Sequence, residues 1–270
     1  MEDIGKWGQA ALEILMRETQ LARRVHRDCS NEFAQLHDVV PLQEPFNLAP
    51  DVELDQQMWS SLQIQDREAT QSFSQMVQYF VEPCMISMAR NLDMLILQSV
   101  YESLDRNTQH LPRLTGNPEY TIRQARRVLN GRRVPQANRN LIIDPPAEAE
   151  LLRHCVSTPG ATYFGFTPVL YFPTSNTALP EGTNFAWGRD SIALVTRPIR
   201  GRRETHDQTA GRPFSIACND HLSLRVDMGY EMQYAAVKIT YTLLAGVIIL
   251  DSTGIVSFDG QTQRSTATAW

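Results

Sequence analysis

The sequence predicts an α+β fold, and three observations carry that prediction. Between residues 83 and 106, Met85, Met88, Leu92, Leu95/Ile96 and Val100 recur every three to four positions, the period of a helix. In LSLRVDMGY (222 to 230) apolar and polar residues alternate without a break, the period of a strand. The C-terminal third as a whole is strand-rich, with VKITYTLL and VIIL following that alternating stretch. The chain has 270 residues, 42% of them hydrophobic, enough for one large or two small domains.

Taken in order, residues 7 to 29 carry Trp7, Ala11, Ile14, Leu21, Ala22 and Val25 at roughly helical spacing. An amphipathic helix is expected there, and its apolar stripe needs a partner in this chain or another. Residues 38 to 78 contain three prolines, no glycine and patches of alternation. They read as an extended, strand-rich excursion, a long two-stranded arm too poor in apolar residues for a core of its own. Pro83 suits the first turn of the next helix. At 1.5 Å per residue that helix, 83 to 106, is roughly 35 Å long, a spine.

A second helix spans 117 to 131, with Asn117 as N-cap, Pro118 at the first position and Gly131 as the C-terminal stop. NLIIDPP (140 to 146) reads as a buried strand with a hard stop, and AEAELLRHC as a short helix. ATYFGFTPVLYF (161 to 172) is strand-like, with a bulge or bend at Gly165 and Pro168. Ala245-Gly246 separates the last two long apolar runs.

The most apolar segment, CMISMARNLDMLILQSV, is broken by Arg90 and Asp93, so no membrane span is expected. The start, MEDIGKWGQA, lacks the layout of a signal peptide, and the simplest compartment is the cytoplasm of the producing cell. Four cysteines stand far apart with no CxxC, which argues against a disulfide framework. A net charge of −5 gives no basic stripe for gripping nucleic acid. Of the 25 basic residues only Lys6 and Lys238 are lysines, and arginine is the better partner in partly dry ion pairs.

Catalytic signatures are absent: no GxxxxGK[ST], GxGxxG, GxSxG or HExxH occurs. DSTG at 251 to 254 fits a turn between two strands better than an acid-protease triplet. His26 with Cys29, and His154 with Cys155, have metal-like spacing but no second pair nearby. Asp66 and Glu68 flank Arg67 in the extended excursion and read as a solvated or interface charge cluster. RPIRGRRE (197 to 204) reads as a surface loop, or as a contact for a polyanion or a neighbouring subunit. In NFAWGRDSIALVTRPI (184 to 199), Arg189, Asp190 and Arg197 flank a buried run. Adjacent residues on a strand point to opposite faces, so Arg189 and Asp190 are expected to pair with groups of this subunit or its neighbour.

Four blocks, in order, resemble the major capsid (coat) proteins of tailed bacteriophages, especially short-tailed ones: RVLNGRRVPQANRNLIIDP (127 to 145), NFAWGRDSIALVTRPI, HLSLRVDMGYEMQ (221 to 233) and ITYTLLAG (239 to 246). The resemblance covers residues 20 to 258 and departs from the family at Trp187-Gly188, where an aromatic followed by His is common. It implies the Johnson fold, shared with herpesvirus floor domains and encapsulins. In that layout 1 to 37 is the N-terminal arm, 38 to 78 the extended loop, 79 to 109 the peripheral domain with its spine helix, 110 to 215 the axial domain and 216 to 270 the returning strands.

The resemblance further implies a structural subunit, not an enzyme, that self-assembles as hexamers and pentamers into an icosahedral shell around double-stranded DNA. Its partners would be copies of itself, a separate scaffolding protein, a portal, in some relatives a decoration protein, and packaged DNA held without sequence specificity, with no cofactor, metal or membrane. Arg67, Glu68, Arg189, Asp190 and Arg197 are the subunit-interface candidates. Residues 38 to 78 hold no lysine, so the cross-linked chainmail of some relatives is not expected, nor is a cleaved N-terminal segment. Two other readings stay open, an encapsulin-type cargo shell and a soluble α+β enzyme.

Overall fold

The computed structural model describes residues 3–42, 50–68, 70–104, 109–111, 118–154, 165–170, 184–200, 214–219 and 222–258. In chain order its helices are α1 (Ile4–Glu18), α2 (Phe73–Met76), α3 (Glu82–Glu102), α4 (Pro118–Gly131) and α5 (Pro145–His154). Its strands are β1 (His26–Cys29), β2 (Val39–Pro41), β3 (Asp51–Glu53), β4 (Gln56–Gln65), β5 (Gln109–His110), β6 (Arg139–Ile143), β7 (Thr167–Leu170), β8 (Phe185–Gly188), β9 (Ile192–Arg197), β10 (Phe214–Cys218), β11 (Ser223–Glu231), β12 (Ala236–Ile249) and β13 (Ile255–Ser257). The chain divides into two compact units. One gathers Met1–Arg23, Arg27–Ile96 and Ala193–Ile248; the other gathers Arg24–His26, Leu97–Ile192 and Ile249–Trp270.

The first unit is built on a sheet of order β1-β9-β12-β11-β10, with β4 also paired to β12. The registers Leu62↔Ile239, Ile239↔Met228 and Tyr241↔Val226 put the apolar residues of three strands on one face. Helix α1 covers that face over β10 and β11, so its stripe finds its partner in this chain. Gly8 permits the close approach: a Cβ there would sit 3.2 Å from both Ala217 Cβ and Val226 Cγ2.

The expected helix over 7 to 29 ends early, at Glu18, and the segment after it becomes a 3-10 turn and strand β1. Two groups redirect it. The Asp93 carboxylate accepts the backbone N–H groups of Gln20 (2.8 Å), Leu21 (2.9 Å) and Ala22 (3.1 Å). Arg23 turns back and donates to the carbonyls of Met16 and Arg17, which the ending helix leaves without partners.

Among the described residues of 38 to 78, β2, β3 and β4 are extended, as expected, but residues 73 to 78 are helical, and β2 and β3 alone form a two-stranded ribbon. Strand β4 instead runs antiparallel to β12 over ten residues. The spine helix begins earlier than Pro83. Ser72 and Gln75 form a capping box at α2, and a π turn over Val77–Val81 leads into α3. That wider turn accommodates Pro83, whose ring would otherwise press on the carbonyl four residues back.

Strand β12 runs unbroken through Ala245-Gly246, where a break was expected. Gly246 is there for a packing reason: a Cβ would overlap the carbonyl oxygen of Glu53. Strand β11 is also not half-buried along its whole length, because its polar residues Ser223 and Arg225 are buried too.

The second unit holds a sheet of order β5-β13-β8-β6-β7. Leu141, Ala186 and Val256 align across β6, β8 and β13. They pack with Ile122, Ala125 and Leu129 of α4 and Ala147 and Leu151 of α5. Helix α5 starts two residues before the expected point. Asp144 caps it, its carboxylate accepting from Ala147 N (3.1 Å), and Pro145 occupies the first position. The α4 N-cap, Asn117, lies outside the described residues. Its C-terminus is closed by Arg133 at φ 60° rather than by Gly131. Gly165, at φ +90°, takes the left-handed conformation just before β7, and Pro168 lies on that edge strand.

Candidate functional site

The five charged residues singled out by sequence divide between the two units, Arg67, Glu68 and Arg197 in the first and Arg189 and Asp190 in the second. Arg67 and Glu68 occupy the turn after β4 in the first unit. Glu68 folds back, its carboxylate accepting from Gln65 N at 2.9 Å, while Arg67 is exposed and its carbonyl accepts from Thr70 Oγ1. Beside them the Asp66 carboxylate accepts from Tyr230 Oη at 2.7 Å, a bond that raises the Tyr230 pKa.

Arg189 and Asp190 form a 3-10 turn between β8 and β9 in the second unit. Arg189 is half-buried and Asp190 exposed. The turn is fixed by its backbone: Arg189 N donates to Asn138 O (3.1 Å), and the Ser191 carbonyl accepts from Leu250 N (2.9 Å) and Asp251 N (3.3 Å). The DSTG segment supplies that Asp251, which caps a 3-10 turn through Thr253 N. It is a turn between β12 and β13, as expected.

Arg197 finds its partners inside the chain. It is 3% exposed in the single chain. Its Nη2 donates to Asp28 Oδ1 at 2.9 Å, and its Nη1 to the carbonyls of Asp28 (3.2 Å) and Thr196 (2.9 Å). Of the two kinds of partner expected for the flanking charges, a group of this subunit or of its neighbour, Arg197 has one in this subunit: its charge is neutralised inside the first unit, where it ties β1 to β9. A buried pair of this kind makes removal of either partner costly.

Arg139 explains why RVLNGRRVPQANRNLIIDP reads as a block. It is buried and donates to Asn130 Oδ1 (2.9 Å), Pro135 O (3.0 Å) and Val134 O. The guanidinium thus gathers the whole turn between α4 and β6. Burial, with Arg126 nearby, lowers its pKa. Asn140 beside it bonds the Arg24 carbonyl at 3.1 Å.

The surface carries apolar groups that sequence reasoning passed over. At the β11–β12 hairpin tip Met232 is 89% exposed, and Tyr230 and Tyr234 are exposed beside it. Trp59 on β4 is 66% exposed. Alternation marks a residue's face of a strand but not whether that face is covered, so only the exposure of the folded chain reveals these. Among the described residues, no three His, Cys, Asp or Glu side chains are grouped for metal binding, and no helix is long and apolar enough to cross a membrane. Half of the RPIRGRRE cluster (201 to 204) and Cys155 lie outside the described residues.

In sequence, no family model and no curated protein matches this chain. In structure it is similar to the capsid of Cyanophage P-SCSP1u, with TM-score 0.56, 12% identity, and coverage of 88% of this chain and 87% of that one. It is also similar to a virus-like particle from Pyrococcus furiosus, with TM-score 0.54, 11% identity, and coverage of 96% and 100%. A third likeness is to an encapsulin complex from Synechococcus elongatus, with TM-score 0.53, 11% identity, and coverage of 88% and 85%. The chain has the phage-capsid fold that the four sequence blocks led us to expect.

Proposed function

We propose that this chain is a major capsid subunit of a tailed phage, one that self-assembles into a closed icosahedral shell around double-stranded DNA. The observation that carries the reading is the extent of the fold likeness, which takes in nearly all of this chain and of the cyanophage capsid protein. The solvent-facing Met232, Tyr230 and Tyr234 fit it as contacts between copies, since Met232 is 89% exposed in the single chain. Repetition over hexamers and pentamers lets modest contacts sum to a stable particle. A mildly acidic subunit also suits dense DNA, which must be packed without sticking to the wall.

In this reading 1 to 37 serves as the arm, 38 to 78 as the extended loop over a neighbour, α3 as the peripheral spine and 110 to 215 as the axial domain. Arg67, Glu68, Arg189 and Asp190 lie at or near subunit boundaries. The partners are a separate scaffolding protein and a portal, with a decoration protein in some assemblies, and the shell forms in the host cytoplasm and ends as the virion capsid. The subunit is not an enzyme, and without a lysine in 38 to 78 its shell carries no covalent chainmail.

The likeness to an encapsulin complex favours one second reading, a shell loaded with a cargo enzyme. Negative-stain microscopy of the purified chain tests both. Closed shells, hexamer sheets or tubes support a shell; a stable monomer or small dimer overturns it. Nuclease-protected double-stranded DNA in particles from the native source then selects the capsid, and a co-purifying enzyme selects the cargo shell.

A further inference from the structure

Three described cysteines are free thiols, Cys29, Cys84 and Cys218. Two of them meet. Cys29 ends β1 and Cys218 ends β10, strands at opposite ends of the sheet order. They come together because the strands between them meet end to end, with Ser223 N at the start of β11 donating to Thr196 Oγ1 near the end of β9 at 3.2 Å. Cys29 Sγ donates to the carbonyl of Asn219 at 2.8 Å, and Cys218 Sγ lies 3.3 Å from the same oxygen. Two sulfurs on one oxygen lie within about 6 Å of each other.

We infer that Cys29 and Cys218 are a disulfide-forming pair, a dithiol that a small oxidising disulfide converts into a covalent clasp between β1 and β10. Neither thiol is fully buried, so a small oxidant has access. The Cys218 thiolate attacks oxidised glutathione; one S–S bond breaks, a mixed disulfide forms and glutathione thiolate leaves. Cys29 then gives its proton to solvent base and attacks the Cys218 sulfur, releasing a second glutathione. Two electrons and two protons leave the protein, and the oxidant ends as two thiols.

The environment sets the rate. Burial, with Cys218 beside it, pushes the Cys29 thiol up to about 12, and only the thiolate attacks. Closure is therefore slow near neutral pH and accelerates with base. None of this depends on the shell reading.

The test is to incubate the full chain with oxidised glutathione at pH 8.5, block remaining thiols and map peptides without reduction. A Cys29–Cys218 cross-linked peptide, two hydrogens lighter than its reduced parts, is expected. The melting temperature should rise by roughly several degrees and fall back on reduction, because the bond restricts the unfolded chain. Cys29→Ser and Cys218→Ser should each abolish the cross-link, and Cys84→Ser should leave it. Both thiols being blocked after oxidation, or stopping as separate mixed disulfides with glutathione, overturns the inference. So does a bond between chains, read as hybrid peptides from mixed labelled and unlabelled protein.

Discussion

Arg225 and Asp227 stand two residues apart on one face of β11, and the guanidinium grips the carboxylate at two points. Arg225 Nε lies 2.9 Å from Oδ2, and Nη2 lies 2.9 Å from Oδ1. The remaining arm donates to Ile199 O at 3.1 Å. The cation also lies 4.5 Å from the centre of the Phe214 ring and 5.9 Å from that of Phe33. One planar group thus fastens three segments to the sheet. A lysine cannot reproduce the fork or the stacking. Arg225→Lys should lower unfolding free energy by about 1–3 kcal/mol, read by urea denaturation. Stability within about 0.5 kcal/mol of the parent would show that the clamp is incidental.

Asp93 should make stability depend on acid. Burial raises its pKa to about 6, outweighing the three backbone N–H groups and Arg23, which pull it down. Its folded value thus lies above its unfolded value near 3.8, so the folded chain binds the proton more tightly. This contribution to stability is fully present below the unfolded value and is lost as pH rises through about 6. Chemical denaturation at steps from pH 4 to 7 should show the decline, and in Asp93→Asn it should flatten.

Two glycines should respond in opposite ways. Gly246→Ala drives a Cβ into the Glu53 carbonyl and should cost more than about 2 kcal/mol. Gly131→Ala, at the end of α4, meets nothing within 4 Å and should be neutral or stabilising by up to about 1 kcal/mol. Thermal melts of the two variants side by side decide this.

Surface variants separate assembly from folding. Met232→Ser should leave the melting temperature of the unassembled chain within about 2 °C of the parent, while the yield of closed particles falls on electron micrographs. Asp190→Ala should behave likewise, because Asp190 is exposed. Asp28→Ala should instead strand Arg197 in the interior and destabilise the chain itself by roughly 3–5 kcal/mol. Normal particle yield from Asp190→Ala would remove that residue from the candidate boundary.

Much of the fold can be read from the sequence wherever the signal is local. The periodicity of 83 to 106, the Pro118 start of α4 and the alternation of 222 to 230 each determine their own element. The departures have remote causes. Helix α1 stops where it does because Asp93, far along the chain, collects the next three N–H groups. Gly246 looks like a break until the Glu53 carbonyl is in place. Arg197 at a strand end reads as a surface charge until Asp28 arrives beside it. A further signal is local: the capping box of Ser72 and Gln75 marks where the spine helix starts. The apolar hairpin tip lay inside an alternating pattern that concealed its exposure.

The ladder between β4 and β12 also sets a timetable for synthesis. A ribosome makes β1, β4 and β9 long before β12, yet β12 is the strand on which β4, β9 and β11 all pair. Until it emerges, the nascent first unit carries open strand edges and an α1 stripe with no finished sheet to cover. Such non-local pairing slows folding and leaves the waiting chain prone to wrong associations. Strand β12, the last made of the first unit's sheet, is therefore the piece whose arrival closes those open edges.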